Sequence, residues 1–342
     1  MIASYRCAMA IRVSVIGSGS WGTTVAHLVA HNEPSLLWAR RPELAEEIAT
    51  RHTNGDYLGD APLHPDLRAT SSLEEAGATA DVLVMGVPSH GFRAVLEEIQ
   101  PHVRPWVPVV SLSKGLEQGT RLRMTEVVGE VMPGHPVGVL TGPNLAKEVL
   151  AGSAAAAVIA MTDDAVAERL QGVFATKLFR VYTNSDVCGS EIGGALKNVI
   201  AIASGMADGL EVGDNTRAGV ITRGLAEISR LGVAMGGRPE TFAGLAGMGD
   251  LIATCISRQS RNRHVGEQLG RGRNIDEIID EMNMVAEGVK TTRVVLELAE
   301  AYGVEMPITE EITKVCYEGS TANDAYRGLI RRAPARRESD VG

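Results

Sequence analysis

Gly17, Gly19 and Gly22 stand in the spacing G-x-G-x-x-G, between an apolar run at residues 12–16 and a helix-like apolar periodicity at residues 23–31. Strand, glycine turn and helix is the setting in which this spacing means dinucleotide binding. The first glycine permits the tight turn. The second lets the backbone approach a pyrophosphate, and the third lets helix and strand pack closely. Free N–H groups and the positive dipole end at the helix start supply the anion site. In a chain with 38 glycines the spacing alone is weak, and a purely structural turn is the alternative. The flanking strand and helix favour binding.

A second chemistry-bearing stretch is Gly193-Gly194-Ala195-Leu196-Lys197-Asn198, followed by five small or apolar residues. A helix this apolar on all sides belongs in a core. Its glycines cost helix stability, which implies close approach of another element. A lysine buried there loses solvation and its pKa falls, so Lys197 is a candidate proton-transfer group. A snorkelling lysine with its tip in water is the alternative. Asp250, within Gly247-Met248-Gly249-Asp250-Leu251, either caps a helix or adds an acid to a site. Residues 257–264 concentrate positive charge and small donors, among them Ser260, Arg261 and Asn262. That composition suits a phosphate pocket, or else a solvated loop. His27 and His31 have the i, i+4 spacing of metal ligands, but no third ligand is evident and no metal is expected.

The elements that must position these groups change character along the chain. Residues 12–182 alternate apolar strands with helices, the pattern of a doubly wound, mainly parallel sheet. Strands are expected at 12–16, 36–38, 80–87, 107–112, 137–140, 154–160 and 178–182. Helices are expected at 42–50, 89–99, 121–131 and 163–172, and residues 52–66 read as a long loop. From residue 187 long helical periodicities take over, at 191–209, 216–231, 249–254, 262–269, 275–282, 291–302, 308–316 and 322–329. The expected division is an α/β, Rossmann-like nucleotide domain over residues 1–186 and an all-α substrate domain over 187–330. Residues 1–9 read as a disordered extension and 331–342 as a disordered, charged tail.

Four expected strand ends carry polar or backbone-permissive residues: Ser20 and Trp21, Ser89 and His90, Lys114, and Gly142 with Asn144. Ligands of open α/β sheets bind at the carboxyl ends of the strands, so these residues should line one cleft. The second strand ends in Ala39-Arg40-Arg41, where NAD sites usually place an Asp or Glu. A guanidinium can fork onto a 2′-phosphate, which favours NADP; two solvated arginines are the alternative.

Composition sets outer bounds. Lys and Arg total 33 against 42 Asp and Glu, a net charge of −9, which argues against nucleic acid as the main partner. Aromatics are 4%, so Ala, Val, Leu and Ile must fill the cores. Cys7, Cys188, Cys255 and Cys316 are widely spaced, which suits free thiols in a reducing, cytoplasmic setting. No apolar run reaches membrane-spanning length.

These motifs together resemble the bacterial type of NAD(P)-dependent sn-glycerol-3-phosphate dehydrogenase. The marks are Gly17-Ser18-Gly19-Ser20-Trp21-Gly22-Thr23, Val87-Pro88-Ser89-His90, Ser113-Lys114-Gly115-Leu116-Glu117 and Thr141-Gly142-Pro143 in the first half. The second half adds Gly193 to Asn198, Gly247 to Leu251, Gln259 to Arg263 and Glu305-Met306-Pro307-Ile308. The resemblance spans about residues 11–329. It implies a Rossmann domain joined to an all-α domain like the C-terminal one of 6-phosphogluconate dehydrogenase. It implies reversible reduction of dihydroxyacetone phosphate to sn-glycerol 3-phosphate by NADP(H) or NAD(H), supplying phospholipid synthesis, in a cytoplasmic homodimer.

By the same resemblance, Lys197 is the proton acceptor and donor. Ser20, Trp21, Arg40, Arg41, Lys114, Ala146, Arg261, Val285 and Glu287 match cofactor contacts. Lys114, Gly142, Asn144, Lys197, Asp250, Ser260, Arg261 and Asn262 match the substrate pocket, with Asp250 also placed beside the chemistry. Asn144 departs from the Ser or Thr of many relatives. The competing readings are another two-domain β-hydroxyacid dehydrogenase and a non-catalytic NADP sensor. The strand-end lysine and the Ser-Arg-Asn cluster favour a phosphate-bearing substrate over the first. A sensor would have no need of Lys197 in an apolar helix.

Overall fold

The computed structural model describes residues 10–282 and 286–331. The expected disordered extension and most of the expected tail lie outside the described residues. Eight strands form one sheet: β1 Val13–Ile16, β2 Ser35–Trp38, β3 Arg68–Thr70, β4 Val82–Met85, β5 Val109–Ser111, β6 Val137–Thr141, β7 Ala155–Met161 and β8 Phe179–Asn184. Their order is β3-β2-β1-β4-β5-β6-β7-β8. Every neighbouring pair is parallel except β6 with β7. β1 and β4 are buried at every residue, as continuous apolar strands covered on both faces must be.

Strand order reverses beside β1, and ligand crevices of such sheets open there. The registers Ile16 to Trp38 and Ile16 to Met85 bring the ends of β1, β2 and β4 level. Helices cover both faces. Val25, Leu28, Val29 and Phe174 pack one face, and Phe92, Leu96, Ile99 and Val128 the other.

After β8 only helices follow. The helix Val187–Gly209 forms the axis of this half and is buried almost all round. Its small residues let the helix Arg261–Gly270 cross it backbone to backbone. A Cβ on Gly205 would lie 2.8 Å from the Glu267 nitrogen, and one on Gly266 would lie 2.9 Å from the Met206 nitrogen. Gly270 faces the Met206 oxygen at 2.6 Å in the same sense. The crossing brings Asn262 against Asn198.

Several local expectations need correction. The expected loop at 52–66 contains a short helix, Gly55–Leu58, held by the fully buried Asn54. β3 and the helix Leu73–Thr79 also have no counterpart in the sequence reading. β3 is three residues long and partly exposed, too short for any period to show. The helices Ala146–Leu150 and Pro239–Ala243 are equally brief. The axial helix starts at Val187 rather than 191, because the Asp186 carboxylate accepts the Gly189 N–H at 2.8 Å. The expected helix at 121–131 starts only at Met124, where the Glu126 side chain accepts the Arg123 N–H.

Candidate active site

The glycine turn behaves as its spacing demands. Gly17 has φ +115°, a left-handed value that side chains avoid. A Cβ on Gly22 would overlap the Gly17 carbonyl, so helix and strand touch only because it is glycine. A Cβ on Gly19 would meet no protein atom within 4 Å. The middle glycine therefore faces open space at the start of the helix Ser20–Ala30, which has no side-chain cap. That opening and those uncapped N–H groups fit a diphosphate. The Trp21 indole nitrogen is buried beside the turn without a protein partner. The Ala146 carbonyl approaches the same helix, 3.5 Å from the Thr24 hydroxyl.

At the end of β2, Arg40 and Arg41 are exposed. Arg41 pairs with Asp56 of the helix Gly55–Leu58.

Three charged side chains meet where the sheet edge faces the helical half. The Asp250 carboxylate, 1% exposed, takes Lys197 Nζ on one oxygen and Lys114 Nζ on the other, the latter at 2.7 Å. Lys197 also donates to Thr254 Oγ1 at 2.6 Å, and Lys114 to the Gly142 carbonyl at 2.9 Å. Lys197 is 5% exposed, so it does not snorkel. Burial lowers its pKa from the ordinary lysine range to about 8, with Lys114 adding to the fall and Asp250 opposing it. Asp250 opens the helix Asp250–Ile256 after a wide turn, Leu245–Gly249, and spends its side chain on the lysines rather than on a cap.

A relay of amides frames this centre. Asn198 donates to the Lys114 carbonyl at 2.9 Å and accepts from Asn262 Nδ2 at 2.9 Å. Asn262 Oδ1 accepts the Gly288 N–H at 2.9 Å. Asn262 is thus committed to protein partners on both ends of its amide. Ser260 caps the helix Arg261–Gly270 by accepting the Arg263 N–H, while at its first turn the Arg261 pKa is lowered by burial, with the charge of Glu287 opposing the fall. Ser89 Oγ donates to Glu287 Oε2 at 2.9 Å across the two halves. Both polar atoms of the Asn144 amide, and the Thr141 hydroxyl oxygen, are buried without a protein partner. Buried polar atoms are normally satisfied, so these atoms are open to a polar ligand.

Lys114, Gly142, Lys197 and Asp250 are thus in direct contact, and Asn262 joins them through Asn198. Ser20, Trp21 and Ala146 lie at the glycine turn and the helix after it, and the arginines at the end of β2. Val285 lies outside the described residues. Thr254, Asn198 and Asp56 are not among the candidate site residues of the sequence. Thr254 stands four residues after Asp250 on one helix face, a spacing that could have flagged it. His64 joins His27 and His31 in space, its ring centroid 6.3 Å from that of His27 and 4.5 Å from that of His31. Among the described residues no group of three ligands is able to hold a metal.

Comparison with known proteins agrees with this geometry. Residues 12–167 match the family model for the NAD-dependent glycerol-3-phosphate dehydrogenase N-terminus, and residues 186–327 match that for its C-terminus. A glycerol-3-phosphate dehydrogenase [NAD(P)+] of Sphingopyxis alaskensis is 61% identical over 94% of this chain and 97% of its own. One of Mycobacterium avium is 60% identical over 94% of this chain and 95% of its own. The crystal structure of glycerol-3-phosphate dehydrogenase from Coxiella burnetii superposes with a TM-score of 0.90 at 34% identity, covering 94% of this chain and 99% of the other. On both its halves, the chain belongs to the NAD-dependent glycerol-3-phosphate dehydrogenase family.

Proposed function

We propose that this cleft reduces dihydroxyacetone phosphate to sn-glycerol 3-phosphate with NAD(P)H, and runs the reverse, with Lys197 as the proton donor and acceptor. The observation that carries the reading is the buried amine of Lys197, held on an Asp250 carboxylate that Lys114 shares, where the sheet edge meets the helical half. The nicotinamide, when bound, supplies hydride to carbon 2 or takes it away.

The chain's own residues supply the rest. In reduction Lys197 Nζ gives a proton to the ketone oxygen and becomes a neutral amine, which its buried setting favours. In oxidation the neutral amine takes the hydroxyl proton. Asp250 holds the amine in place and balances the lysine charge. Lys114 adds a fixed positive field beside the reacting oxygen. The start of the helix Arg261–Gly270, with Arg261 and the Ser260 hydroxyl, suits the substrate phosphate by charge and by dipole. Binding energy gathered on that phosphate orients the distant carbonyl. The orphaned Asn144 amide is placed to bond the substrate, and Asn262 acts by fixing Asn198 and the backbone at Gly288. Gly17, Gly19, Gly22, Ser20 and Trp21 hold the diphosphate side. Arg40 and Arg41 face the adenosine ribose, Ala146 lies along the cofactor, and Glu287 borders the nicotinamide.

Residues up to 186 supply most of the nucleotide site, with Lys114 and Asn144 reaching the substrate, and residues 187–330 supply most of the substrate site, with Glu287 reaching the nicotinamide. The product is a backbone for phospholipids. Among the described residues no helix is long and apolar enough to cross a membrane, and Cys188, Cys255 and Cys316 are free thiols. These support a cytoplasmic setting. Met248 in the wide turn, with Ile252 and Ile256 on the helix after it, are exposed apolar side chains that support pairing as a homodimer.

Mixing the protein with NADPH and dihydroxyacetone phosphate should consume NADPH absorbance. Folded protein that binds NADPH yet turns nothing over would end the proposal. Lys197→Ala should keep NADPH binding and lose most turnover.

A further inference from the structure

The residues ending β2 carry no acid, yet a carboxylate stands there in space. Asp56 comes from a different segment and pairs with the Arg41 guanidinium. Each side chain is 53% exposed, so a ligand can reach the pair. Its placement is built rather than incidental. Asn54 Nδ2 donates to the Ser18 carbonyl at 2.9 Å and to Thr23 Oγ1 at 2.8 Å. The Tyr57 carbonyl accepts from Ser20 Oγ at 3.3 Å. Glu47, on the helix that follows Arg41, accepts from the Gly55 N–H at 2.8 Å and from Thr53 Oγ1 at 2.9 Å. The glycine turn, the segment after β2 and Asp56 therefore form one hydrogen-bonded unit.

We infer that Asp56 sets the balance between NADPH and NADH by competing with a 2′-phosphate for Arg41. The inference rests on the reading above that Arg40 and Arg41 face the adenosine ribose. A guanidinium engaged with Asp56 has one charge fewer to offer a phosphate, and the carboxylate itself repels that phosphate. The ribose of NADH brings hydroxyls instead, which donate to a carboxylate and meet no like charge. Asp56 thus weakens NADPH selectively and keeps the site open to NADH. For a dianion within roughly 6–8 Å of the carboxylate in screened water, plus release of an exposed ion pair, the factor is about three to ten.

The test is titration of NADPH and NADH into the full chain, read by intrinsic tryptophan fluorescence, for the wild type, Asp56→Asn, Asp56→Lys and Arg41→Ala. Asp56→Asn should tighten NADPH about three- to tenfold while NADH changes less than about twofold, with the gap shrinking at about 0.5 M salt. Asp56→Lys should move the ratio further the same way. If both Asp56 variants keep the wild-type ratio while Arg41→Ala shifts it toward NADH, the role of Asp56 is wrong and the reading of the arginines stands. If Arg41→Ala also leaves the ratio unchanged, the arginine reading falls with it.

Discussion

If Lys197 carries the proton, the two directions of the reaction must respond to pH as mirror images around its pKa. The structure places that value at about 8, chiefly through burial. With a midpoint at about 8, the protonated fraction falls from about nine-tenths at pH 7 to about one-tenth at pH 9. Reduction should therefore lose about tenfold in kcat/KM across that interval, and oxidation should gain about tenfold. An unperturbed lysine, near 10.4, would leave reduction almost flat there and raise oxidation about a hundredfold. The window lies above the second ionisation of a phosphate monoester, near 6, so the substrate does not titrate within it. Asp250→Asn sharpens the test. It removes the charge with which Asp250 raises the lysine pKa and weakens the hydrogen bond that acts in the same direction, so the midpoint of reduction must move to lower pH. The assay is kcat/KM for each direction at saturating cofactor, from pH 6.5 to 10, for both proteins. A midpoint near 10 in the wild type, or one that Asp250→Asn leaves in place, would refute the assignment of the proton to Lys197.

Gly19→Ala should fold with stability within about 0.5 kcal/mol of wild type, since its Cβ meets no protein atom, yet bind NADPH more weakly. Gly205→Ala should do the reverse, costing about 3 kcal/mol or more in denaturant unfolding, because its Cβ would press on the backbone of the crossing helix. Glu227 is buried in the helical half, where its carboxylate accepts the Ile308 N–H at 2.7 Å. Burial pushes its pKa up from 4.5 to about 7. The folded state then binds this proton more readily than the unfolded chain, so stability falls as pH rises from 4.5 to 7. Glu227→Gln should remove that fall, and the difference between the two proteins should change by about 3 kcal/mol over the interval. Parallel pH–stability curves would contradict it.

What the sequence made legible follows from how each feature is encoded. The glycine turn and the buried lysine are local: their meaning sits in ten or so consecutive residues. The change from alternating strands to long helices is periodic and shows through any window. The meeting of Lys114, Lys197 and Asp250 is not local, since 136 residues separate the first from the last. Each was singled out by its surroundings, but their contact depends on how the axial helix docks on the sheet. Asp56 was hidden by its loop, whose short helix is fixed by Asn54 reaching back to the glycine turn rather than by any pattern of its own. Thr254 looked like an ordinary helix residue, and only the lysine above it gives its hydroxyl a task. Asn262 was read as a pocket residue from its neighbours, whereas its amide is taken up by Asn198 and Gly288.

The glycine-lined crossing in the helical half bears on how this protein can change over generations. Two backbones already in contact have no intermediate spacing to pass through: the next size up from hydrogen is a methyl group, and it forces a displacement of the whole element. Neutral drift at Gly205, Gly266 and Gly270 is closed off, and the spacing of the two helices that carry Lys197 and Asn262 is inherited as a fixed dimension. A lineage that came to accept a bulkier ketone would have to carve room from the rim, through residues such as Asn144 or Arg261, because easing the two helices apart is not open to it by single steps.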